Sequence, residues 1–178
     1  MPLTPPPVLP FLGSRHTGPD EAAGLKNLQQ LIQLRWIAVF GQVLTIEVVH
    51  YGMGIAIPIE PMLTVLGGLV AFNVLSLVRW RTGRHVTSAE LLLALVVDVA
   101  ALTAQLYLSG GATNPFVFLY LLQVSLSAVL LPPWATWTVL AITTGGFAGL
   151  ALWAPPLALP LDHHLGMASP FMLGMLIC

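Results

Sequence analysis

The sequence predicts an all-α integral membrane protein, built as a bundle of six membrane-spanning helices. Of the 178 residues, 57% are hydrophobic and only 7% are charged, whereas a soluble domain carries about 25% charged residues. Several apolar runs also approach the roughly 20 residues that a helix needs to cross a hydrocarbon core of about 30 Å. The chain is therefore expected to contact membrane lipid over most of its surface.

Charge and cysteine content exclude several other classes. The formal net charge of −1 gives no basis for nucleic-acid binding, which needs a basic surface. The single cysteine, Cys178, excludes an internal disulfide framework and a thiolate metal cluster built from this chain alone.

The first 28 residues differ in composition from the rest. The segment MPLTPPP lacks the basic start of a signal peptide, and its prolines oppose a helix. We interpret residues 1–28 as a cytoplasmic proline-rich tail and expect residues 20–30 to form an interfacial helix that leads into the membrane. Residues 29–178 are then the membrane domain.

Six apolar runs follow, separated by turn residues. The first is expected to begin at Trp36, with Arg35 as a cation that reaches the membrane surface beside an interfacial indole. Ser88 is the predicted N-cap of the third run. The last run has only about 12 residues, too few to cross, so we expect a truncated sixth helix and a longer parent protein. The runs cover residues 36–57, 62–78, 88–108, 115–131, 135–153 and 167–178.

The basic residues predict an orientation. They all fall on one side if the spans alternate, because they lie before the first run or after the second: Arg15, Lys26, Arg35, Arg79, Arg81 and Arg84. Basic residues concentrate on the cytoplasmic side of a membrane. Both chain ends are therefore expected in the cytoplasm, and the turn between the third and fourth runs on the outer side.

That turn, residues 110–116 with the sequence GGATNPF, is the most informative stretch. Gly110 or Gly111 can adopt positive φ and end a helix. Asn114 is a good N-cap, and Pro115 suits the first position of the next helix. A helix end followed by a helix start explains all of these residue types.

A binding role uses the same geometry. The first N–H groups of the fourth run are unpaired and carry the positive end of the helix dipole. The Asn114 amide could donate to a carbonyl oxygen, and the Phe116 ring could pack on a flat molecule. At the edge of a membrane, this combination would suit a lipophilic carbonyl compound such as a quinone.

The glycine pair, asparagine, proline and phenylalanine match the GGxxNPF heptapeptide of the RegB/PrrB/ActS redox sensor histidine kinases. In that family the heptapeptide lies in a periplasmic turn between the third and fourth of six membrane helices and is assigned to ubiquinone binding. Residues 34–42, LRWIAVFGQ, also resemble the family's entry to its first span. The resemblance covers about residues 25–178.

The resemblance implies a multi-pass sensor domain in the bacterial inner membrane, acting as a homodimer. It would report the redox state of the quinone pool to a cytoplasmic kinase with a cognate response regulator. The family's phosphorylated histidine, ATP site and redox-responsive cysteine follow the sixth helix, so this chain alone is expected to lack catalytic activity, and Cys178 is not given the redox role. The ubiquinone-binding residues implied here are Gly110, Gly111, Asn114, Pro115 and Phe116.

Polar residues inside the predicted spans are further candidates. A charged group at the bilayer centre costs about 2.5–3.5 kcal/mol or more and is a functional candidate by default. Asp98 and Gln105 are seven residues apart and share a helix face. With Glu47 and His50 they could line a quinone pocket. Interhelical hydrogen bonding is the other interpretation, favoured for the remaining polar residues, Asn73 and Gln123.

Two features leave alternatives open. His50, His163 and His164 are expected on the outer side, but no two form an i, i+4 pair on one helix, and no metal site is predicted. Gly145 and Gly149 form a small face for close helix contact, within one chain or between two.

Two other functional classes also remain open. A small transporter or channel is one, since an Asn-Pro pair begins the half-helices of aquaporins, although those motifs come in pairs. A membrane electron carrier is the other. It would need facing histidines deep in two spans, where the sequence has none.

Overall fold

The computed structural model describes residues 19–52, 57–82 and 85–154, and within these ranges every regular element is helical. The predicted sixth run, His163 and His164 lie outside them. The elements in order are α1 (Pro19–Glu47) continued by a π-helical turn (Val48–Gly52), α2 (Ile59–Arg81), α3 (Ser88–Leu108), two short 3-10 turns (Gly111–Thr113 and Pro115–Phe118), α4 (Leu119–Leu130) and α5 (Pro133–Trp153).

Four of these helices are long and apolar enough to cross a membrane. They occupy Ala23–Gly52, Ile59–Arg81, Ser88–Leu108 and Pro133–Trp153. The predicted fourth span forms a shorter apolar helix, Pro115–Leu130, which is roughly 24 Å long at about 1.5 Å per residue. The all-α membrane class is thus confirmed, and the described residues contain four candidate spans of full length, while the count of six helices stays a prediction.

Helix α1 joins the interfacial helix expected over residues 20–30 to the first predicted span. It starts at Pro19 and continues without a break past Trp36. Leu28, Leu31 and Ile32 are 5%, 1% and 4% exposed. Their spacing places them on one face of the helix, and that face packs into the bundle. The buried face of α1 therefore begins before the predicted span.

Helix α3 is the central element and contacts α1, α2, α4 and α5. Its side chains Leu95, Val99 and Leu106 are almost fully buried, as are Leu31 of α1 and Val139 of α5. The outer surface is apolar instead. Its largest exposed side chains include Phe40, Val129, Trp137 and Trp153. Apolar exposure on this scale fits a surface that faces lipid.

A capping box begins α3. The Thr87 hydroxyl accepts a hydrogen bond from the Glu90 backbone N–H at 3.2 Å, and the Glu90 carboxylate accepts one from the Thr87 N–H at 3.4 Å. The prediction of Ser88 as the N-cap is therefore wrong. The reciprocal pair needs a Glu three residues after the cap, and Glu90 has that spacing from Thr87. Glu90 also pairs with Arg79 at the end of α2, with a separation of 2.9 Å.

Candidate functional site at the α3–α5 groove

The turn between α3 and α4 has the predicted local geometry. Gly110 and Gly111 have φ values of 110° and 61°, in the region that favours glycine. The Asn114 side-chain oxygen accepts a hydrogen bond from the Phe116 N–H at 2.9 Å, and Pro115 occupies the first position of the short helix that follows. The sequence prediction of a helix end followed by a capped helix start is confirmed.

The Asn114 amide is used inside the turn. Its Nδ2 donates to the Ser109 carbonyl oxygen at 2.9 Å and to the Ser109 hydroxyl at 2.7 Å. The Ser109 hydroxyl donates in turn to the Gln105 carbonyl at 2.7 Å. The Phe116 ring packs against the main core. Both side chains thus hold the turn on the end of α3.

Gly111 brings this turn against the end of α5. A Cβ atom added to Gly111 would collide with the Ala154 Cβ and lie 3.4 Å from the Leu150 carbonyl oxygen. The residue therefore needs to be glycine for two reasons, its positive φ and this close approach. The contact fixes the spacing of α3 and α5 at the turn end of the bundle.

Beside this contact, α3 and α5 leave an open groove of about 680 Å³ with an almost wholly apolar lining. This volume is within the range of about 300–1,000 Å³ typical of small-molecule sites. Aromatic side chains stand near its turn end, and small residues form its middle. The lining includes Thr103, Ala104 and Tyr107 of α3, with Gly146, Gly149 and Trp153 of α5.

The glycines of α5 have different surroundings. A Cβ on Gly145 would meet nothing within 4 Å, whereas one on Gly146 would lie 3.1 Å from the Tyr120 hydroxyl oxygen and 3.3 Å from the Thr103 hydroxyl oxygen. A Cβ on Gly149 would meet only the Trp153 ring, at 3.6 Å. Within the described chain, Gly146 packs closely against other helices and Gly145 does not, while contact of the Gly145–Gly149 face with a second chain stays a prediction.

A pair of hydroxyl groups lies beneath Gly146. The Thr103 and Tyr120 oxygens are 2.7 Å apart, and the Thr103 oxygen is also 2.7 Å from the Val99 carbonyl oxygen. Sequence reasoning missed both residues, because a threonine in α3 and a tyrosine in α4 resemble ordinary helix residues. The signal is tertiary, since a glycine on a third helix faces both oxygens.

A second polar centre lies on another face of α3. Arg35 of α1 is 3% exposed, and its Nε and Nη2 atoms bind the two carboxylate oxygens of Asp98 at 2.6 and 2.9 Å. The prediction that Arg35 reaches the membrane surface is therefore wrong. The carboxylate of Asp98 provides a bidentate partner inside the bundle, which compensates the burial of the guanidinium group.

The remaining Arg35 donors are also occupied. Nη1 contacts the Asn73 side-chain oxygen at 3.3 Å and the Ser76 hydroxyl at 3.4 Å, and Nη2 contacts the Ala94 carbonyl at 3.4 Å. The guanidinium carbon lies 4.7 Å from the centroid of the Phe72 ring. All five N–H groups of an arginine are thus accounted for. This centre joins α1, α2 and α3 and leaves no guanidinium donor for a ligand.

The other predicted pocket residues lie away from the groove. Gln105 donates to the Met62 carbonyl of α2 at 3.0 Å, so Asp98 and Gln105 do share a face, and both bind elements on the α1–α2 side. His50 packs edge-on against Tyr51 with ring centroids 4.7 Å apart, and Glu47 is exposed. None of the four predicted pocket residues lines the groove.

Comparison with known proteins identifies the family. The sensor histidine kinase RegB of Cereibacter sphaeroides is 33% identical to this chain over 148 residues, which is 83% of the chain and 32% of that relative. This chain is a homologue of RegB. The expectation drawn from the GGxxNPF stretch is confirmed at the level of the family. No family model matches the chain, and no solved structure matches it.

The four apolar helices of membrane-crossing length support a membrane setting for this region. The chain spans about a third of the length of the RegB relative that it matches. Within this RegB-type region, the described residues form an apolar groove next to the GGxxNPF turn, and its lining includes Thr103 and the aromatic side chains of Tyr107 and Trp153. Such a groove can hold a flat apolar molecule that has a hydrogen-bonding group.

Proposed function

We propose that this chain is the membrane sensor region of a histidine kinase and that it binds a quinone, such as ubiquinone, in the α3–α5 groove. The observation that carries the proposal is the position of the groove against the GGxxNPF turn. Leu150 lines the groove, and its carbonyl oxygen faces Gly111 across the contact between the turn and α5. A ligand in the groove would therefore touch the wall that the turn supports.

The lining suits the two parts of a lipid-soluble quinone. The isoprenoid tail is apolar and would enter from the lipid through the open side of the groove. The ring would lie between Tyr107 and Trp153, since aromatic side chains pack well on flat rings. Only a few polar atoms are needed to orient a ligand in an apolar pocket, and the Thr103 hydroxyl lies at the groove.

The residues of the turn then support the shape of the site without contacting the ligand. Gly111 permits the close approach of α5, and Gly110 permits the backbone to reverse. Asn114, Pro115 and Phe116 hold the start of the next helix against the core. We assign these five residues to ubiquinone binding because they set the shape of the groove at its turn end.

Signalling follows from unequal binding of the two redox forms. A ligand shifts a conformational equilibrium only by its difference in affinity for the two states. The whole protein would be a homodimer in the bacterial inner membrane, with the GGxxNPF turn on the periplasmic side. Its cytoplasmic kinase domain would use ATP and act on a response regulator, while this membrane region would supply the input.

Equilibrium dialysis of a radiolabelled short-chain ubiquinone against the chain in lipid nanodiscs tests the proposal. Gly149→Leu places a bulky side chain in the groove and should weaken binding at least about tenfold, equivalent to about 1.4 kcal/mol. Gly145→Leu is the matched control, because it adds the same side chain on the same helix where nothing lies within 4 Å. Equal affinities for Gly149→Leu and Gly145→Leu would refute the groove as the site.

A further inference from the structure

We infer that the outward face of helix α1 is the surface through which two copies of this chain pair in the membrane. The inference rests on the proposed function only for its homodimer, to which it gives a contact surface. It needs no quinone, because the groove lies between α3 and α5 and the pairing surface lies on α1.

Helix α1 carries a continuous exposed stripe with heptad spacing. Its positions alternate in steps of four and three residues, the pattern that keeps side chains facing a partner helix in a coiled coil. Leu31 and Val39, on the opposite face, are buried in the bundle. All seven stripe positions are exposed. The outer stripe of α1 consists of Lys26, Gln30, Gln33, Ile37, Phe40, Leu44 and Glu47.

Two glutamines of this stripe lie at the depth of the hydrocarbon. Arg35 binds Asp98, which is the middle residue of α3 (Ser88–Leu108). At about 1.5 Å per residue, Gln33 and Gln30 lie only about 3 and 8 Å along α1 from Arg35. The hydrocarbon extends about 15 Å to each side of its centre. Both amides are therefore too deep for a short side chain to reach the head groups.

Neither amide has a partner in the described part of the chain. Gln30 and Gln33 are exposed. Within the described residues, the α1 side chains that donate hydrogen bonds are Asn27, Arg35 and Thr45. An amide that faces hydrocarbon without a partner is unfavourable. The two glutamines therefore need a polar partner that approaches from outside the described bundle.

A second copy of the same face meets that need. A glutamine amide both donates and accepts hydrogen bonds, so it is complementary to another glutamine. Two copies inserted in the same direction have parallel α1 helices, and a parallel pair sets each stripe position opposite itself. Gln30 and Gln33 then each face the same residue of the second copy, at the same depth. The apolar run over residues 167–178 contains no asparagine or glutamine and is a poorer match.

The other stripe positions are compatible with a symmetric pair. The three apolar side chains are 68%, 70% and 55% exposed in the order Ile37, Phe40 and Leu44, and they supply packing area between the two helices. Lys26 and Glu47 lie about 14 and 18 Å along α1 from the level of the buried ion pair, near the edges of the hydrocarbon. Water weakens the repulsion of like charges that meet there.

Disulfide cross-linking of the full chain in bacterial membranes tests the surface, in a Cys178→Ser background that has no native thiol. Ile37→Cys and Leu44→Cys should each form cross-linked dimers on oxidation with copper phenanthroline. Val43→Cys is the matched control, because Val43 is 40% exposed but lies about 100° around the helix from Leu44. Equal cross-linking of all three variants would overturn the inference, as would cross-links confined to Gly145→Cys on α5.

Energy transfer between donor-labelled and acceptor-labelled chains, diluted with lipid in liposomes, tests the glutamines. Gln33→Leu should weaken dimerisation at least about threefold, whereas Gln33→Asn keeps an amide and should lose less. Gln123→Leu is the matched control, because it removes the same amide from α4. A chain carrying both Gln30→Leu and Gln33→Leu that dimerises as tightly as Gln123→Leu would contradict the role of the stripe.

The outcomes separate this inference from the proposed function. Dimers that form without cross-links at the outer stripe would overturn the inference and leave the homodimer. A chain that stays monomeric in both assays would overturn the inference and the homodimer together, and would leave the quinone site. Saturable ubiquinone binding, measured on the same preparations, decides the quinone site separately. Thermal unfolding of each variant verifies that the fold is retained.

Discussion

The Nε atom of Arg35 lies 2.6 Å from Oδ1 of Asp98, and this ion pair joins α1 to α3 inside the helix bundle. The side chains are 1% and 12% exposed. Removal of one partner from a buried pair leaves an uncompensated charge, which destabilises far more than the loss of a surface pair. The pair therefore anchors the central helix, and the groove lies on another side of that helix.

Substitution of Arg35 by alanine should destabilise the bundle by about 3–5 kcal/mol, because the Asp98 carboxylate would stay buried without its partner. Arg79→Ala is the comparison, since Arg79 pairs with Glu90 where the side chains are 33% and 43% exposed. We expect at most about 1 kcal/mol for that ion pair. Unfolding by denaturant in mild detergent measures both. Similar losses for the two variants would contradict a structural role for the Arg35–Asp98 pair.

Gly111→Ala should destabilise the fold, because the new Cβ would collide with Ala154 and alanine disfavours positive φ by about 1–2 kcal/mol. Adding Ala154→Gly should recover the part caused by the collision and leave the backbone strain. Gly68→Ala, on a helix with nothing within 4 Å, serves as the control and should be neutral or stabilising. Thermal unfolding ranks the variants. A Gly111→Ala protein as stable as Gly68→Ala would disprove the close contact.

Thr87→Ala should lower the free energy of unfolding by about 1 kcal/mol, because it removes the acceptor for the Glu90 N–H at the start of α3. Ser88→Ala tests the cap that the sequence predicted, and it should change stability little. Denaturant unfolding of the two single variants compares them directly. A larger loss for Ser88→Ala would place the cap one residue later than the structure does.

A comparison of Asn114→Ala with Ser109→Ala tests whether Asn114 supports the shape of the turn or contacts the ligand directly. Both changes break the hydrogen bond between the two side chains, so both should loosen the turn, and ubiquinone binding should weaken in each. If the Asn114 amide instead bound the ligand itself, Asn114→Ala alone would weaken binding. Equilibrium dialysis with the same labelled ubiquinone provides the measurement, and unaltered binding in Ser109→Ala would refute the supporting role.

Local rules were enough to predict the turn. Positive φ at glycine, an asparagine cap and a proline at the first helical position each depend on neighbours in sequence. The sharing of one helix face by Asp98 and Gln105 follows from their spacing alone. The long apolar runs likewise predicted the four full-length spans, because length and composition determine whether a helix can cross a bilayer.

The remaining features depend on contacts between distant residues. Arg35 next to Trp36 resembles an interfacial pair, and nothing local indicates that Asp98 lies opposite it. Thr87 and Ser88 are both good N-cap residues by type. Only the three-residue spacing from Thr87 to Glu90 favours Thr87, since a capping box needs Glu at that position. The groove depends on how α3 packs on α5, and the contact of Gly146 with the Thr103 and Tyr120 hydroxyl groups depends on three helices. Helix periodicity does not specify that register.

The most direct test of the central claim is photolabelling of the nanodisc-embedded chain with an azido-quinone, followed by mapping of the labelled residues by mass spectrometry. We expect labels on groove residues, above all Tyr107 and Trp153, and we expect excess unlabelled ubiquinone to prevent this labelling. Two results would contradict a quinone site between α3 and α5. One is labelling concentrated at Glu47, His50 or Gln105, and the other is labelling spread over the lipid-facing surface that unlabelled ubiquinone does not reduce.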